Sequence, residues 1–120
     1  AGLATLRYVV ENNLQDNAKT MGSRLITGLE SVAEETTWIG ELRGRGLMIA
    51  LEIVNHDGDR VIPDPHKAGE LLEACKDNGI LVGKAGVYGN VIRIAPMLTV
   101  TEREIDSGIS KILKAIHSIQ

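Results

Sequence analysis

The stretch that decides the fold is residues 47–54, which read Leu-Met-Ile-Ala-Leu-Glu-Ile-Val. The length of this run and its β-branched residues favour a strand over a helix. A strand that is apolar along nearly its whole length is typical of a sheet covered on both faces. Helices of this chain can cover one face of the strand. We therefore predict that a neighbouring domain of a larger protein covers the other face. Upstream, glycines at positions 44 and 46 flank Arg45, which indicates a bulge or a close backbone approach.

Three helices are predicted around this strand. Apolar residues spaced three or four apart from Leu3 to Val32 predict one long amphipathic helix that ends near Glu35, with bends at Gly22 and Gly28. A second helix opens at residues 64–65, where aspartate caps and proline takes the first position, and closes at the Asn-Gly pair 78–79. Residues 101–104, Thr-Glu-Arg-Glu, form a capping box that starts the third helix.

Two shorter strands complete the pattern. Residues 80–82 and 91–94 are apolar and β-branched, and residues 83–90 between them are rich in glycine, so we predict a hairpin with a loose loop. Residues 55–59 contain Asp-Gly and predict a turn. The fold class is therefore α+β: a small mixed or antiparallel sheet with helices over one face.

Composition narrows the possible functions. The 120 residues carry a net charge of −3 with scattered basic side chains, which argues against nucleic acid as a partner. No apolar run is long enough to span a membrane. A single cysteine, Cys75, cannot form an internal disulfide and favours a reducing, intracellular compartment. The first residues enter a helical pattern without a cap, so we expect the chain to be part of a longer polypeptide.

Arg93 is the most promising functional residue. It lies between Ile92 and Ile94, so in a strand it points to the opposite face. An unpaired buried charge is costly, so this arginine must reach solvent, a carboxylate partner or a ligand. A guanidinium binds carboxylates bidentately, which suits an anionic substrate. A structural salt bridge, with Glu52 for example, explains the residue equally well at this point.

The other candidate groups lack a site context. Arg43 and Arg45 suit either substrate binding or a tight turn with solvent-facing side chains, and the second is commoner. The glycine-rich residues 83–89 do not lead into a helix as a phosphate cradle would. The three histidines lack metal-ligand spacing, Cys75 falls on an apolar helical stripe, and Lys84 has nothing that marks it as a nucleophile. We therefore predict no catalytic residue, cofactor-binding residue or metal site in this chain.

Three stretches together resemble the C-terminal small domain of class III (omega-type) aminotransferases, the pyridoxal 5'-phosphate (PLP) enzymes of fold type I. They are residues 39–49 with Glu52 after them, residues 78–83, and residues 91–101 followed by Glu-Ile-Asp at 104–106. Residues 13–17 and 81–84 are most similar to the mitochondrial-type alanine–glyoxylate aminotransferase branch. 4-Aminobutyrate aminotransferase and dialkylglycine decarboxylase have similar domains. One departure is Met97, where many members have a second proline.

The resemblance implies a role for each part. Arg93, in the stretch Arg-Ile-Ala-Pro, would bind the substrate's α-carboxylate, and a glutamate of the large domain holds it instead in some branches. The cofactor-binding lysine and the phosphate-binding groups would belong to that large domain and are absent from this sequence. The resemblance thus implies a homodimeric transaminase, cytoplasmic or in the mitochondrial matrix, acting on amino and 2-oxo acids. A stand-alone module that binds carboxylates or a protein through its sheet is the alternative.

Overall fold

A computed structural model describes residues 1–120, which form four helices and five strands. The elements in chain order are α1 (Gly2–Glu11), α2 (Leu14–Glu35), β1 (Ile39–Arg45), β2 (Met48–Asp57), β3 (Arg60–Pro63), α3 (Pro65–Asp77), β4 (Gly83–Ala85), β5 (Val91–Ile94) and α4 (Glu102–Ser118). The α+β class predicted from the sequence is confirmed.

The sheet is antiparallel throughout, with strand order β1-β2-β5-β4. β3 pairs with the C-terminal end of β2, residues 54–57. A two-residue turn joins β1 to β2. Its first residue, Gly46, has φ of 56°, which a glycine adopts without the penalty that a Cβ would impose. β5 is an interior strand, held by hydrogen bonds to β2 on one side and β4 on the other. This position keeps any side chain on β5 in a fixed place.

Helices α2, α3 and α4 cover one face of the sheet and make the core with it. Ile49, Leu51 and Ile53 alternate along β2 and are all 0% exposed. They belong to one apolar cluster with residues from the three helices, among them Leu29 and Ile116. Burial of each large aliphatic side chain stabilises the fold by about 1.5–3 kcal/mol. The apolar core of the chain therefore lies directly behind β2.

Both predicted helix starts are confirmed in detail. Asp64 Oδ1 accepts a hydrogen bond of 2.9 Å from the backbone N–H of Lys67, with Pro65 at the first helical position. At α4 the Thr101 Oγ1 accepts from the backbone N–H of Glu104, while the Thr101 backbone N–H donates 3.1 Å to the Glu104 carboxylate. These caps satisfy backbone donors that the helix itself leaves unpaired.

The single long helix predicted for the N-terminal third is wrong. Asn13 adopts a left-handed conformation with φ of 52° and divides it into α1 and α2. Asparagine tolerates that conformation better than most residues. The bend expected at Gly22 does not break α2. The glycine instead lets α2 pass against the β1–β2 turn, since a Cβ there would collide with the carbonyl oxygen of Gly46.

The strand predicted at residues 80–82 is also wrong. That stretch has no strand pairing, and β4 begins at Gly83, where the backbone comes into register with Arg93 of β5. The predicted hairpin of the last two strands is confirmed, with Gly86 and Gly89 at positive φ in its loop. The turn predicted at residues 55–59 is confirmed only at Gly58 and Asp59, because residues 55–57 continue β2 and pair with β3, a strand that was not predicted.

The two faces of β2 differ within this chain. Met48 is 71% exposed, and Ala50 and Glu52 are half-buried on the side away from the helices. Within these 120 residues only the helix-facing side of β2 is covered, and cover of the other side by a neighbouring domain stays a prediction. None of the four helices combines the length and apolarity needed to cross a membrane.

Candidate functional site

Arg93 lies in the middle of the uncovered face of the sheet. It pairs across the strands with Ala50 of β2 and with Gly83 of β4. Its guanidinium lies over Gly83, where a Cβ would be 3.5 Å from both Nε and Nη2. The small residues on either side leave room for the guanidinium. Its side chain is exposed and makes no salt bridge.

The alternative partner of Arg93, Glu52, is engaged elsewhere. Arg43 of β1 reaches across and donates from Nη1 to the Glu52 carboxylate at 2.6 Å and to Glu41 at 2.7 Å. The hydrogen bond to Glu52, followed by that to Glu41, holds the pKa of Arg43 above its usual range. The structural ion pairs of this face are therefore those of Arg43 with two glutamates, and Arg93 has no ion-pair partner within the chain.

Arg45 follows Arg43 on the same face of β1, at the β1–β2 turn. It pairs with Met48 of β2, and its side chain is exposed. The tight turn expected over Gly-Arg-Gly begins only at Gly46, because Gly44 and Arg45 still belong to β1, and Gly44 allows the close approach of Ile49. Arg45, Met48 and Arg93 line a shallow concavity on the uncovered face. Arg45 makes no salt bridge.

Two asparagines that sequence reasoning did not single out fix the arginine strand at both ends. Before β5, the buried Asn90 donates from Nδ2 to the carbonyl of Ile53 at 2.9 Å. After β5, Asn17 of α2 donates from Nδ2 to the carbonyls of Leu98 at 2.7 Å and Val100 at 3.0 Å. An asparagine inside a helix is a weak signal of such a tertiary contact, because its side chain disfavours helices otherwise.

The remaining candidate groups are not brought together. Lys84 donates from Nζ to the carbonyl of Pro65 at 2.9 Å. His56 contacts the Thr37 carbonyl through Nε2 at 2.9 Å, and His66 lies 3.5 Å from Glu70. No group of three or more His, Cys, Asp or Glu side chains is arranged to hold a metal ion.

Cys75 packs into the core on α3 and is 1% exposed. Burial raises the pKa of its thiol to about 11. A thiol that keeps its proton is a poor nucleophile. The interpretation of Cys75 as a small buried apolar residue is confirmed.

Comparison with known families decides the identity of the fold. The family model described as "Aminotransferase class-III" matches residues 1–116. The chain belongs to the class-III aminotransferase family. It contains the sheet and the helices described above, and it spans about a quarter of the length of the relatives it matches.

Two curated relatives and one solved structure illustrate this family membership. The mitochondrial alanine–glyoxylate aminotransferase 2 homolog 2 of Arabidopsis thaliana is 41% identical over 88% of this chain and 22% of its own length. The 4-aminobutyrate aminotransferase of Escherichia coli is 36% identical over 91% of this chain and 25% of its own length. An amine transaminase from an uncultivated Pseudomonas species, solved in its PLP-bound form, superposes with a TM-score of 0.85. It is 32% identical, and the match covers 98% of this chain and 26% of that one.

Class-III aminotransferases are PLP-dependent, so we asked whether this chain's own residues fit the cofactor. The lysines on the sheet and on α3 are engaged: Lys84 with a carbonyl, Lys67 with Glu70 and the Ile119 carbonyl, and Lys76 with Glu73. The glycine-rich loop after β4 runs into β5 instead of a helix N-terminus. These donors do not form a phosphate cradle beside a free lysine, so the residues of this chain do not fit the cofactor.

Proposed function

We propose that this chain is the C-terminal small domain of a PLP-dependent aminotransferase and that Arg93 binds the α-carboxylate of its substrates. The observation that carries the proposal is an exposed, unpaired guanidinium on an interior strand, while the arginine beside it is already neutralised. A rigid strand that presents one free arginine suits a role in orientation.

Arg93 would act by positioning. Its planar guanidinium can hold a carboxylate through two parallel hydrogen bonds, which fixes both the distance and the plane of the substrate. When the cofactor is bound elsewhere in the enzyme, it supplies the electron sink for the reaction. Because this chain's residues do not form a cofactor site, we expect the 120 residues alone to be inactive and to bind no PLP.

The proposed reaction moves an amino group from an alanine-like amino acid to a glyoxylate-like 2-oxo acid. Similarity to the Arabidopsis relative supports this choice, since its name states alanine and glyoxylate. Similarity to the Escherichia coli enzyme keeps 4-aminobutyrate as an alternative donor, and a dialkylglycine decarboxylase activity is a further alternative. A stand-alone module that binds carboxylates or a protein would use the same face without the chemistry.

The proposed partners follow from the incomplete face. A large domain of the same polypeptide would cover Met48, Ala50 and the arginines and bring the cofactor to them. We further propose a homodimer that acts in the cytoplasm or in the mitochondrial matrix. Relatives with mitochondrial names support the second location.

The test is Arg93→Ala in the full-length polypeptide. We expect KM for amino and 2-oxo acids to rise about 10- to 100-fold, because a charge-assisted bidentate contact is lost. Cofactor absorbance should be unchanged, because Arg93 does not hold the cofactor. Steady-state kinetics and absorbance spectra of the variant measure both quantities.

Arg103→Ala is the matched control, because Arg103 is exposed on α4 and makes no salt bridge. It should leave KM unchanged. Equal kinetics for Arg93→Ala and the parent enzyme would show that Arg93 is structural. PLP added to the 120-residue chain should produce no new absorbance band, and a bound-cofactor band there would contradict the assignment of the cofactor to another domain.

A further inference from the structure

The end of α3 carries the only asparagine of the chain that is followed by glycine. This pair is Asn78 and Gly79, and every other asparagine precedes a bulkier residue. In such a pair the backbone nitrogen of the second residue can attack the side-chain carbonyl carbon of the asparagine. Glycine favours this attack, because it has no Cβ to hinder the approach. The pair therefore has the chemistry of a spontaneous modification site.

The reaction needs only the chain itself and water. The Gly79 nitrogen forms a bond to Asn78 Cγ, the bond from Cγ to Nδ2 breaks, and Nδ2 leaves as ammonia with the proton of the Gly79 amide. The cyclic imide that results takes up a water molecule and opens to aspartate or to isoaspartate. A neutral amide is thereby replaced by a carboxylate.

The folded end of α3 keeps the two reacting groups apart. Asn78 donates from Nδ2 to the Ala74 carbonyl at 2.8 Å, which fixes its side chain along the helix. The Gly79 N–H donates to the Lys76 carbonyl at 3.0 Å. Asn78 has ψ of 7°, which turns the Gly79 nitrogen away from the asparagine side chain. The attack therefore requires that these hydrogen bonds break and that Asn78 rotates.

Few contacts hold this end closed. Gly79 is exposed and Asn78 is half-buried. Beyond the two hydrogen bonds above, the Ile80 N–H donates to the Cys75 carbonyl at 3.0 Å, and Lys111 of α4 donates from Nζ to the Gly79 carbonyl at 3.2 Å. Helix ends held in this way open locally at a free energy well below that of global unfolding.

We propose that Asn78 is a deamidation site that reacts only when the last turn of α3 opens. The product has no Nδ2 donor for the Ala74 carbonyl, and it places a negative charge at a helix C-terminus, where the helix dipole disfavours it. The modified chain is therefore less stable at the end of α3 and in the segment that leads to Gly83, the β4 residue opposite Arg93. This inference is independent of the proposed function.

The first test compares the 120-residue chain in its native state and in guanidinium chloride at the same pH, by peptide mapping with mass spectrometry. We expect Asn78 to be converted in the denatured chain, and at least about tenfold more slowly in the native chain. Asn90, which precedes valine, is the internal control and should stay intact in both samples. An intact Asn78 in the denatured chain would overturn the site, and equal rates in the two states would overturn its control by opening.

Hydrogen exchange links the reaction to the opening of α3. The Gly79 amide must leave the Lys76 carbonyl both to exchange and to react, so its protection factor should match the native slowing of deamidation within about threefold. Lys111→Ala removes the contact with the Gly79 carbonyl and should raise both native rates about threefold. Lys114→Ala is the matched control, because Lys114 is exposed on the same helix and makes no salt bridge. Deamidation that does not follow Gly79 exchange across these variants would contradict the proposal.

Asn78→Asp reproduces one product directly. We expect a lower urea midpoint and faster hydrogen exchange at the Ile80 amide than in the parent. Asn55→Asp is the matched control, because Asn55 uses only its side-chain oxygen, which accepts from the His56 N–H, and a carboxylate keeps that acceptor. A parent-like midpoint and parent-like exchange in Asn78→Asp would overturn the claim that the modification weakens the end of α3.

Discussion

Strand β2 has two faces that obey different physical rules. Toward the helices, Ile49, Leu51 and Ile53 are fully buried and packed by α2, α3 and α4. Away from them, Met48 and Glu52 lie among three arginines, with one ion-paired cluster and two free cations. The first face explains why the chain folds, and the second face presents the groups that we propose bind a ligand. Ten residues of one strand therefore serve both purposes through simple alternation.

This difference teaches how an apolar run should be interpreted. Buried and uncovered side chains alternate along β2. The sequence does not show this alternation, because Met48 and Ala50 on the uncovered side are also apolar. Their burial within this chain is incomplete, whereas the core residues beside them are sealed. Substitutions on the two faces should therefore differ in kind: those on the core face change stability, and those on the uncovered face change binding.

The largest effect is expected from Leu51→Ala. This change leaves a cavity behind a 0%-exposed side chain in the centre of the sheet, so the free energy of unfolding should fall by about 2–5 kcal/mol. Met48→Ala, on the same strand and 71% exposed, is the matched control and should change it by less than about 0.5 kcal/mol. Urea unfolding followed by circular dichroism measures both. Similar losses for the two variants would mean that the uncovered face is not solvated in solution.

Local signals made much of the fold predictable. The cap at Asp64 and the capping box at Thr101 depend on residues three apart, so the sequence alone specifies them. The helix break at Asn13 was missed because the apolar spacing of three and four continues across it. β4 lies three residues after the predicted strand because its position depends on the hairpin register with β5, which the apolar triplet 80–82 does not encode.

The candidate site was predictable only in part. Arg93 could be identified because a charge flanked by isoleucines in a strand must face away from the core. Its freedom from Glu52 was not predictable, since β2 lies between β1 and β5 and Glu52 can be approached by an arginine from either neighbour. The register and the nearby Glu41 favour Arg43. The side-chain hydrogen bonds of Asn17 join residues 81 and 83 positions apart, and that of Asn90 joins residues 37 positions apart. Sequence pattern carries little information about contacts at that range.

A second prediction concerns pH and the core side of the sheet. The folded Cys75 thiol has a pKa of about 11, above its ordinary value of 9.0. Between pH 9 and pH 11 the folded state keeps a proton that the unfolded chain loses. The free energy of unfolding therefore has its full value below pH 9 and falls as the pH rises toward 11. The loss should reach about 2 kcal/mol across that window.

Cys75→Ala isolates this contribution from the other groups that titrate at alkaline pH. The variant should lose less stability than the parent between pH 8 and pH 10.5, whatever the offset between them at pH 8. Urea midpoints at the two pH values give the comparison. Parallel pH dependences for the two proteins would show that the thiol is not sealed from water, and that the core side is looser around α3 than the structure indicates.

The smallest change in the free energy of unfolding is expected from Asn17→Ala, which removes a contact between α2 and the segment after β5. Asn17 lies on α2, and its side chain donates to the carbonyls of Leu98 and Val100 just beyond the arginine strand. Asn17→Ala removes both hydrogen bonds and should lower the free energy of unfolding by about 1 kcal/mol. Hydrogen exchange should accelerate at the Val100 amide, which donates to the Met97 carbonyl in this segment, while Ile92 and Ile94 stay protected.

Asn12→Ala is the matched control, because it removes only a bond to the Tyr8 carbonyl within its own helix end and should leave Val100 unchanged. Equal exchange at Val100 in both variants would mean that β5 alone fixes the segment after Arg93, without help from α2.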